Sequence, residues 1–376
     1  MVVSLVVGSN LPDVDLLYTS FAGGPLSYVL QHRGYTHTLL GALAGALVLW
    51  LLGLLWLRYR KLHATCAEQA WVAAACVIGV LLHLAMDYTN NYGVHPFWPF
   101  YDGWVYGDSV YILEPLLWLA AAPLIFVLES GAARVLVALA VGVMTLAVTL
   151  SGWVATPAVV MFLILAAAML AVGRWLRPGI ALGCGMVLWL GVTAVFGVAG
   201  RVASERLEAA AVTAFPASHT LDRVLTPTPA NPLCWEAWLV QTQSGAETMR
   251  QARISLLPGL LGVHDCRGSG LVRSDAGESV PAMNGSGLEW LRQFQLPRNL
   301  IAQAAKSQCG ARAFMQFARV PMVRPSEAGL WLGDLRFGSG PGFAWLLLSP
   351  PGVACDVPHV PWLPPRPELL VPEQSQ

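Results

Sequence analysis

Long apolar runs dominate the first two hundred positions. They fall at Leu39–Leu57, Ala70–Asp87, Val110–Leu128, Ala132–Ser151, Val154–Gly173 and Pro178–Gly200. At 1.5 Å rise per residue, about 20 apolar residues cross a hydrocarbon core, so each run predicts a spanning helix. Only Ser151, Gly152 and Trp153 separate the fourth from the fifth. Gly45, Gly53, Pro115, Pro123 and Pro157 inside these runs are compatible with membrane helices, where neighbours satisfy the freed backbone groups. Met1–Gly8 is apolar but too short to span, and no charged segment precedes it as in a secretory signal. It reads as the tail of a helix that begins upstream. Beyond Gly200 the pattern changes to short apolar runs between Gly, Pro and Ser, at Trp235–Gln241, Phe314–Val323, Leu330–Phe337 and Phe343–Leu348, which predict strands. The ten residues from Asp334 to Phe343 predict a hairpin, Ala209–Phe215 and Leu288–Phe294 short helices, and the Pro-rich tail after Pro350 an extended chain. The expected fold is therefore an α-helical multi-pass membrane domain over 1–200, with about six spanning helices plus a truncated first helix. A β-rich α+β soluble domain over 201–376 follows it.

Composition sharpens this picture. The chain is 56% hydrophobic and 12% charged, about half the charge of an average soluble domain, and its mean hydropathy is +0.57. With zero net charge it offers nothing to a nucleic acid. Of the Lys and Arg residues, only Arg33, Arg58, Arg60, Lys61, Arg134, Arg174 and Arg177 precede position 201. The loops at 88–109 and about 151–154 contain none, whereas 58–69, 129–134 and 173–178 carry all but Arg33. The positive-inside rule then puts the basic loops in the cytoplasm and 1–38, 88–109 and 201–376 outside.

The acidic residues and histidines follow the same division. Asp13, Asp15, Asp87, Asp102, Asp108 and Glu114 map to the outer side with His32, His37, His83 and His95, leaving only Glu68 and Glu129 within. Ionisable groups beside hydrocarbon are costly to keep, so a one-sided cluster is a functional hypothesis. His83 and Asp87 are four residues apart and share a helix face; they form either one side of a cation site or a hydrogen-bonded pair. Asp13 and Asp15, two apart after Pro12, suit a hard or borderline cation, although Pro-Asp is also common in turns. His32 and His37 flank Arg33-Gly34-Tyr35-Thr36 at the mouth of a predicted span. The aromatics between Tyr92 and Tyr111 suit an interfacial belt. Glu114, before Pro115, needs a partner inside a predicted span, and His95 reads as a loop residue outside the ligand set.

Taken in order, Leu11–Asp15, His32–His37 and His83–Pro99 resemble the YdjM-like family of membrane-bound metal-dependent hydrolases of bacterial inner membranes. The shared elements are Pro-Asp-x-Asp, His-Arg-x-x-Thr-His and His-x-x-x-Asp, followed by an aromatic Gly/Pro loop, over about residues 8–118. Asn231–Trp235 and Asp334–Phe337 resemble the outer domain of longer members. The resemblance implies Asp13, Asp15, His32, His37, His83 and Asp87 as metal positions. More remotely it points to the zinc-dependent phospholipase C and P1 nuclease group, hence to phosphoester hydrolysis. Family members usually open with a helix carrying Thr-His-Ala, which this sequence does not contain before Leu11.

The expected activity is metal-dependent hydrolysis at the outer leaflet of a bacterial inner membrane, on a phosphoester or lipid-linked substrate reached laterally through the bilayer. A divalent ion, zinc first, would be held by Asp15, His32, His37, His83 and Asp87. Asp13 or Glu114 would act as general base, and Arg33 and Asp108 would contact substrate. The alternative is a non-catalytic membrane protein with a structural His/Asp cluster and a partner-binding outer domain. An ion pathway fits less well, because the polar residues gather at one face instead of threading the spans. In the outer domain Cys234, Cys266, Cys309 and Cys355 allow two disulfides with three connectivities.

Overall fold

A computed structural model describes residues 2–21, 24–243, 246–266, 277–280, 287–296, 298–338, 340, 342–348 and 357–371. The chain begins with α1 (Val2–Asn10), α2 (Asp15–Phe21), α3 (Gly24–Gln31), α4 (Leu39–Tyr59) and α5 (Cys66–Thr89). Next come α6 (Pro115–Leu119), α7 (Leu124–Val127), α8 (Gly131–Leu150), α9 (Thr156–Trp175) and α10 (Pro178–Ala214). The strands β1 (His219–Thr228), β2 (Asn231–Gln243), β3 (Ala246–Ser255) and β4 (Leu288–Leu296) follow. After them come α11 (Arg298–Ser307), α12 (Cys309–Phe314), β5 (Pro321–Ser326), β6 (Gly329–Asp334) and β7 (Trp345–Leu347). Among the described residues five helices, α4, α5, α8, α9 and α10, are long and apolar enough to cross a membrane.

The chain forms two compact units that interleave along the sequence. One contains 1–107, 245–247 and 296–376; the other contains 108–244 and 248–295. The change in composition at 200/201 falls inside α10, a single helix of 37 residues. At 1.5 Å per residue α10 is about 55 Å long, so nearly half of it outruns a roughly 30 Å hydrocarbon core.

In the first unit, local sequence sets the helix ends. Thr38 caps α4 by accepting from the Gly41 amide at 2.8 Å, and Thr65 with Glu68 forms a reciprocal capping box on α5. Ala42 and Ala46 on α4 pack against Cys76, Val80 and Leu84 on α5. α1 lies close along α5 because Gly79 has no side chain; a Cβ there would sit 2.7 Å from the Leu5 carbonyl oxygen. In the same unit the antiparallel sheet β5-β6-β7 forms, and 335–344 joins the neighbouring strands β6 and β7 as the predicted hairpin does.

The structure corrects four expectations. Val110–Leu128 is not one spanning helix. Glu114 caps α6, Pro115 opens it, and the amides of Ala120, Ala121, Ala122, Leu124, Ile125 and Phe126 bond three residues back. This is tight 3₁₀-like coil with Pro123 at its centre, where proline denies the helix a donor. It packs against neighbouring backbones: a Cβ on Gly185 would meet the Ala120 carbonyl, and one on Gly173 the Pro123 backbone. Leu288–Phe294 lies in strand β4, not a helix. Leu288, Trp290, Phe294 and Leu296 are buried at two-residue spacings, the period of a half-buried strand. Ala209–Phe215 is the end of α10 rather than a separate helix. Much of the predicted strand Phe314–Val323 is turn between α12 and β5. The sheet runs β1-β2-β3-β4, and its apolar face shares a core with α10 through Phe196, Leu207, Trp235 and Ile254. Cys234 and Cys266 are disulfide-bonded. Cys309 is disulfide-bonded too, and Cys355 lies outside the described residues.

Candidate metal centre

Three short stretches of the first unit meet at the Leu39 end of α4 and the Thr89 end of α5. Pro12 starts a 3₁₀ turn, Pro12–Val14, that carries Asp13 and hands the chain to α2 at Asp15. A second 3₁₀ turn, Tyr35–His37, brings His37 in just before the Thr38 cap. His83 and Asp87 lie one turn apart on α5.

Nε2 of His37 lies 3.2 Å from Nε2 of His83, 3.4 Å from Asp13 Oδ1 and 3.2 Å from Asp87 Oδ2. Nε2 of His83 lies 3.5 Å from Asp13 Oδ1 and 3.4 Å from Asp87 Oδ2. All four ligand atoms lie within 4.8 Å of one another. The five edges that involve an imidazole nitrogen, 3.2–3.5 Å long, match those of a tetrahedron whose centre lies about 2.0–2.1 Å from each corner, the zinc range of about 2.0–2.2 Å for imidazole nitrogen and carboxylate oxygen.

The outer contacts fix which atoms face that centre. Nδ1 of His83 donates to the Ser9 carbonyl at 2.7 Å. Nδ1 of His37 faces Asp15 Oδ2 at 3.3 Å and Thr36 Oγ1 at 3.0 Å. Protons on both Nδ1 atoms leave two Nε2 lone pairs and two carboxylate oxygens pointing at one place, an arrangement that only a cation or added protons can hold together. Asp87 Oδ2 is buried without a hydrogen-bond donor. The donor set, its spacing and its oriented imidazoles fit a zinc-like divalent ion.

Asp15 and His32 stand one layer out. Asp15 Oδ1 takes His32 Nδ1 at 3.0 Å, and Oδ2 takes the Arg33 amide at 3.0 Å and Thr36 Oγ1 at 2.9 Å. Both oxygens are therefore engaged, although Asp13, Asp15 and His32 also lie close enough to form a second group. Arg33, expected to face substrate, is buried and turned inward. Its backbone is left-handed at φ 59°, which returns the guanidinium to α5, where it donates to Asp87 Oδ1 at 2.8 Å and Asn90 Oδ1 at 2.9 Å. Asp87 thus has one oxygen pinned by Arg33 and the other left for the centre.

The electrostatics agree. Burial works against charge on Asp13 and Asp15, yet hydrogen bonds from the histidines hold both carboxyls well below the usual range. Burial also disfavours charge on His37, but Asp13, Asp15 and Asp87 outweigh it and raise the imidazole to about 10. The pocket attracts positive charge strongly enough to protonate an imidazole when nothing else is bound.

Glu114 and Asp108 belong to the second unit and to neither group. Glu114, expected as a base, is buried, and its carboxylate accepts from the amides of Leu116 at 3.1 Å and Ala230 at 3.1 Å. It ties α6 to the β1–β2 turn. Asp108 has a left-handed backbone at φ 46°. His95 is fully buried between Trp104 and Trp362, with ring centroids 3.9 and 3.8 Å away. Its Nδ1 faces the Arg33 carbonyl, and burial lowers the imidazole to about 3. Sequence reasoning missed the parts played by Ser9, Thr36 and Asn90. A backbone carbonyl leaves no motif, but the Thr of His-Arg-x-x-Thr-His was visible.

A family model described as YdjM inner membrane protein matches residues 1–175. Over that segment the chain is similar to the YdjM inner membrane protein family. All four converging residues lie within it, together with Asp15, His32, Arg33, Thr36 and Asn90. No curated protein and no solved structure matches the chain. With its long apolar helices, the YdjM segment makes this a multi-pass inner-membrane protein.

Proposed function

We propose that this protein is a metal-dependent hydrolase acting at the outer face of the bacterial inner membrane, on a phosphoester or lipid-linked substrate. The observation that carries the reading is the convergence of two imidazole nitrogens and two carboxylate oxygens within 4.8 Å of one another, each nitrogen 3.2–3.5 Å from the other three atoms. A divalent ion there supplies Lewis acidity, making water a nucleophile near neutral pH and drawing charge from the scissile oxygen. His37, His83, Asp87 and Asp13 hold the ion. Asp15, Arg33, Thr36 and the Ser9 carbonyl orient them. Asp13 is the exposed member: 39% of its side chain is accessible, against none for His37. Substrate and water reach the centre from that side, where Asp13 can also accept a proton.

The outer location rests on charge. Arg58, Arg60 and Lys61 lie at the opposite end of α4 and α5, about 30 Å from the cluster at 1.5 Å per residue. With the cluster at the membrane surface, a lipid-linked substrate can reach it laterally. The residues after α10 form an extracytoplasmic domain in the same reading, and 201–376 serves as the functional outer domain.

One observation favours a second reading. Four protein ligands complete a tetrahedron, as in structural zinc sites, whereas catalytic sites keep a position open. Metal analysis of the purified protein, with His37→Ala and His83→Ala beside it, followed by hydrolysis of bis(p-nitrophenyl) phosphate and phospholipid vesicles, separates the two. The hydrolase reading expects bound zinc and turnover in the wild type and neither in the variants. A metal-free wild type overturns it, and a zinc-loaded protein without turnover leaves the structural reading.

A further inference from the structure

The Asp334–Phe337 segment lies far from the metal motifs in sequence, yet its arginine reaches the end of the helix that carries two of the proposed ligands. The Arg336 side chain is fully buried. Nε and Nη2 bind Asp334 Oδ2 at 3.0 and 2.8 Å, and Nη2 also donates to the Phe317 carbonyl at 3.0 Å. Nη1 donates to the carbonyls of Asn91 at 2.8 Å and Tyr92 at 3.1 Å. All five N–H bonds of the guanidinium are thus engaged. Asp334 is held in turn by the amides of Arg319 at 2.8 Å and Arg336 at 3.0 Å, and Phe317 and Phe337 each lie 4.9 Å from the guanidinium.

The two carbonyls that Arg336 grips directly follow Asn90, the C-cap of α5. Asn90 Oδ1 accepts from the Tyr92 amide at 2.9 Å and from Arg33 Nη1 at 2.9 Å. Arg33 Nη2 then holds Asp87 Oδ1 at 2.8 Å, leaving Oδ2 for the centre. Each link is a direct hydrogen bond between buried or nearly buried groups. A shift of the 91–92 backbone therefore moves Asn90, frees Arg33 and lets the Asp87 carboxylate rotate.

We propose that Arg336 is a positioning residue for the metal centre, so that the segment carrying it completes a site whose ligands all lie before residue 90. The inference rests on the metal reading above. Lysine at 336 keeps the charge beside Asp334 but has neither the fork nor the five donors.

The test measures affinity for Zn²⁺ alone, by chelator competition on the full chain in detergent micelles, and the visible absorption of the Co²⁺-loaded protein. R336K, N90A and the double variant are compared with wild type, with a thermal melt of each metal-free protein to confirm folding. Loss of an outer-layer contact to a metal ligand weakens binding about tenfold to hundredfold; R336K and N90A act on Asp87 through Arg33, so the loss expected for each is about tenfold, the lower end of that range. The Co²⁺ bands should weaken as Asp87 loosens. Because the two residues act in series, the double variant should bind about as weakly as the weaker single one. A folded R336K with wild-type Zn²⁺ affinity and an unchanged Co²⁺ spectrum overturns the proposal. Should R336K fail to fold, N90A cuts the same connection one link nearer the metal, and unchanged binding there overturns it equally. Wild-type protein that binds no Zn²⁺ sinks the metal reading itself, a separate result.

Discussion

Replacing Asp13 and Asp15 by asparagine, one at a time, separates a ligand from the residue that orients a ligand. Asp15 is buried and accepts from the Arg33 amide, Thr36 Oγ1 and His32 Nδ1 at 2.9–3.0 Å. An asparagine carbonyl can keep the first two contacts, but its NH₂ end then faces His32, whose ring must move its proton to Nε2. Each surviving bond changes from charge-assisted to neutral, a loss of about 1 kcal/mol, so Asp15→Asn should cost the metal-free protein about 2–3 kcal/mol. Its zinc affinity should fall about tenfold to hundredfold, because the oxygen facing His37 Nδ1 loses its charge and no longer holds that imidazole as firmly. Asp13 is different. Its carboxylate is partly exposed and pairs with the two imidazoles, so Asp13→Asn should lower metal-free stability less than Asp15→Asn does, because solvent screens the lost pairs. Zinc binding should suffer more than in Asp15→Asn.

The assay is thermal unfolding in detergent with and without zinc. Zinc at about a hundred times its dissociation constant stabilises a binding-competent fold by about 2.7 kcal/mol. Wild type should show that increment, Asp15→Asn a smaller one from a clearly lower baseline, and Asp13→Asn essentially none from a baseline lowered less. The reverse pattern, with Asp13→Asn stabilised by zinc as wild type is and Asp15→Asn unaffected in baseline but blind to zinc, would refute the division into ligand and orienting residue.

Three further outcomes follow. Gly79→Val must push α1 off α5, since even a Cβ there lies 2.7 Å from the Leu5 oxygen and 2.8 Å from the Ser9 amide; the expected cost is about 1–3 kcal/mol, with weaker zinc binding as the Ser9 carbonyl leaves His83, and unchanged zinc affinity by chelator competition would contradict it. The Cys234–Cys266 bond closes a separation of 32 residues, so Cys234→Ala with Cys266→Ala should lower stability by about 3–4 kcal/mol in denaturant unfolding. Glu247 is buried, and burial with the nearby Glu368 charge raises its carboxyl from 4.5 to about 7, against the pull of Arg298 and Arg366. Between those two values the folded state keeps a proton that the unfolded state has lost, so this group's contribution falls as pH rises and is fully unfavourable above about 7, by up to about 3 kcal/mol. Glu247→Gln should flatten the decline in melting temperature between pH 5 and 7; an unchanged profile would count against it.

What could be read in advance depended on the range over which each signal acts. The long apolar runs declared α4, α5, α8, α9 and α10 because spanning length and hydropathy are properties of a contiguous segment. The same measure failed at Val110–Leu128, where Pro115 and Pro123 broke a run that composition alone could not distinguish from a helix. Beyond α10, Leu288–Leu296 mixes aromatic and polar positions too briefly for a helical period to be told from a strand period. The sheet against α10 decided it. Nor does composition reveal that 296–376 packs in one unit with 1–107, since that grouping depends on long-range contacts such as Trp362 Nε1 to the Leu30 carbonyl at 2.8 Å.

The site divides in the same way. His83 and Asp87 were paired by helical spacing, and His37 and Asp13 by their place at the same end of the helices, so convergence of the four was readable. Rank within the cluster was not. Asp13 and Asp15 are two residues apart with identical side chains, yet one faces the centre and the other faces three donors, because the 3₁₀ turn ends between them. Arg33 is the sharper case. A cation beside a membrane surface reads as a contact for an anionic substrate, and only the left-handed turn at residue 33 reveals otherwise. That turn presents the Arg33 amide to Asp15 while its guanidinium grips Asp87. One residue thereby sets the orientation of two carboxylates on different helices. Replacing Arg33 by methionine should therefore disturb zinc binding before it disturbs any contact with substrate, the opposite order from that expected of a substrate-binding arginine.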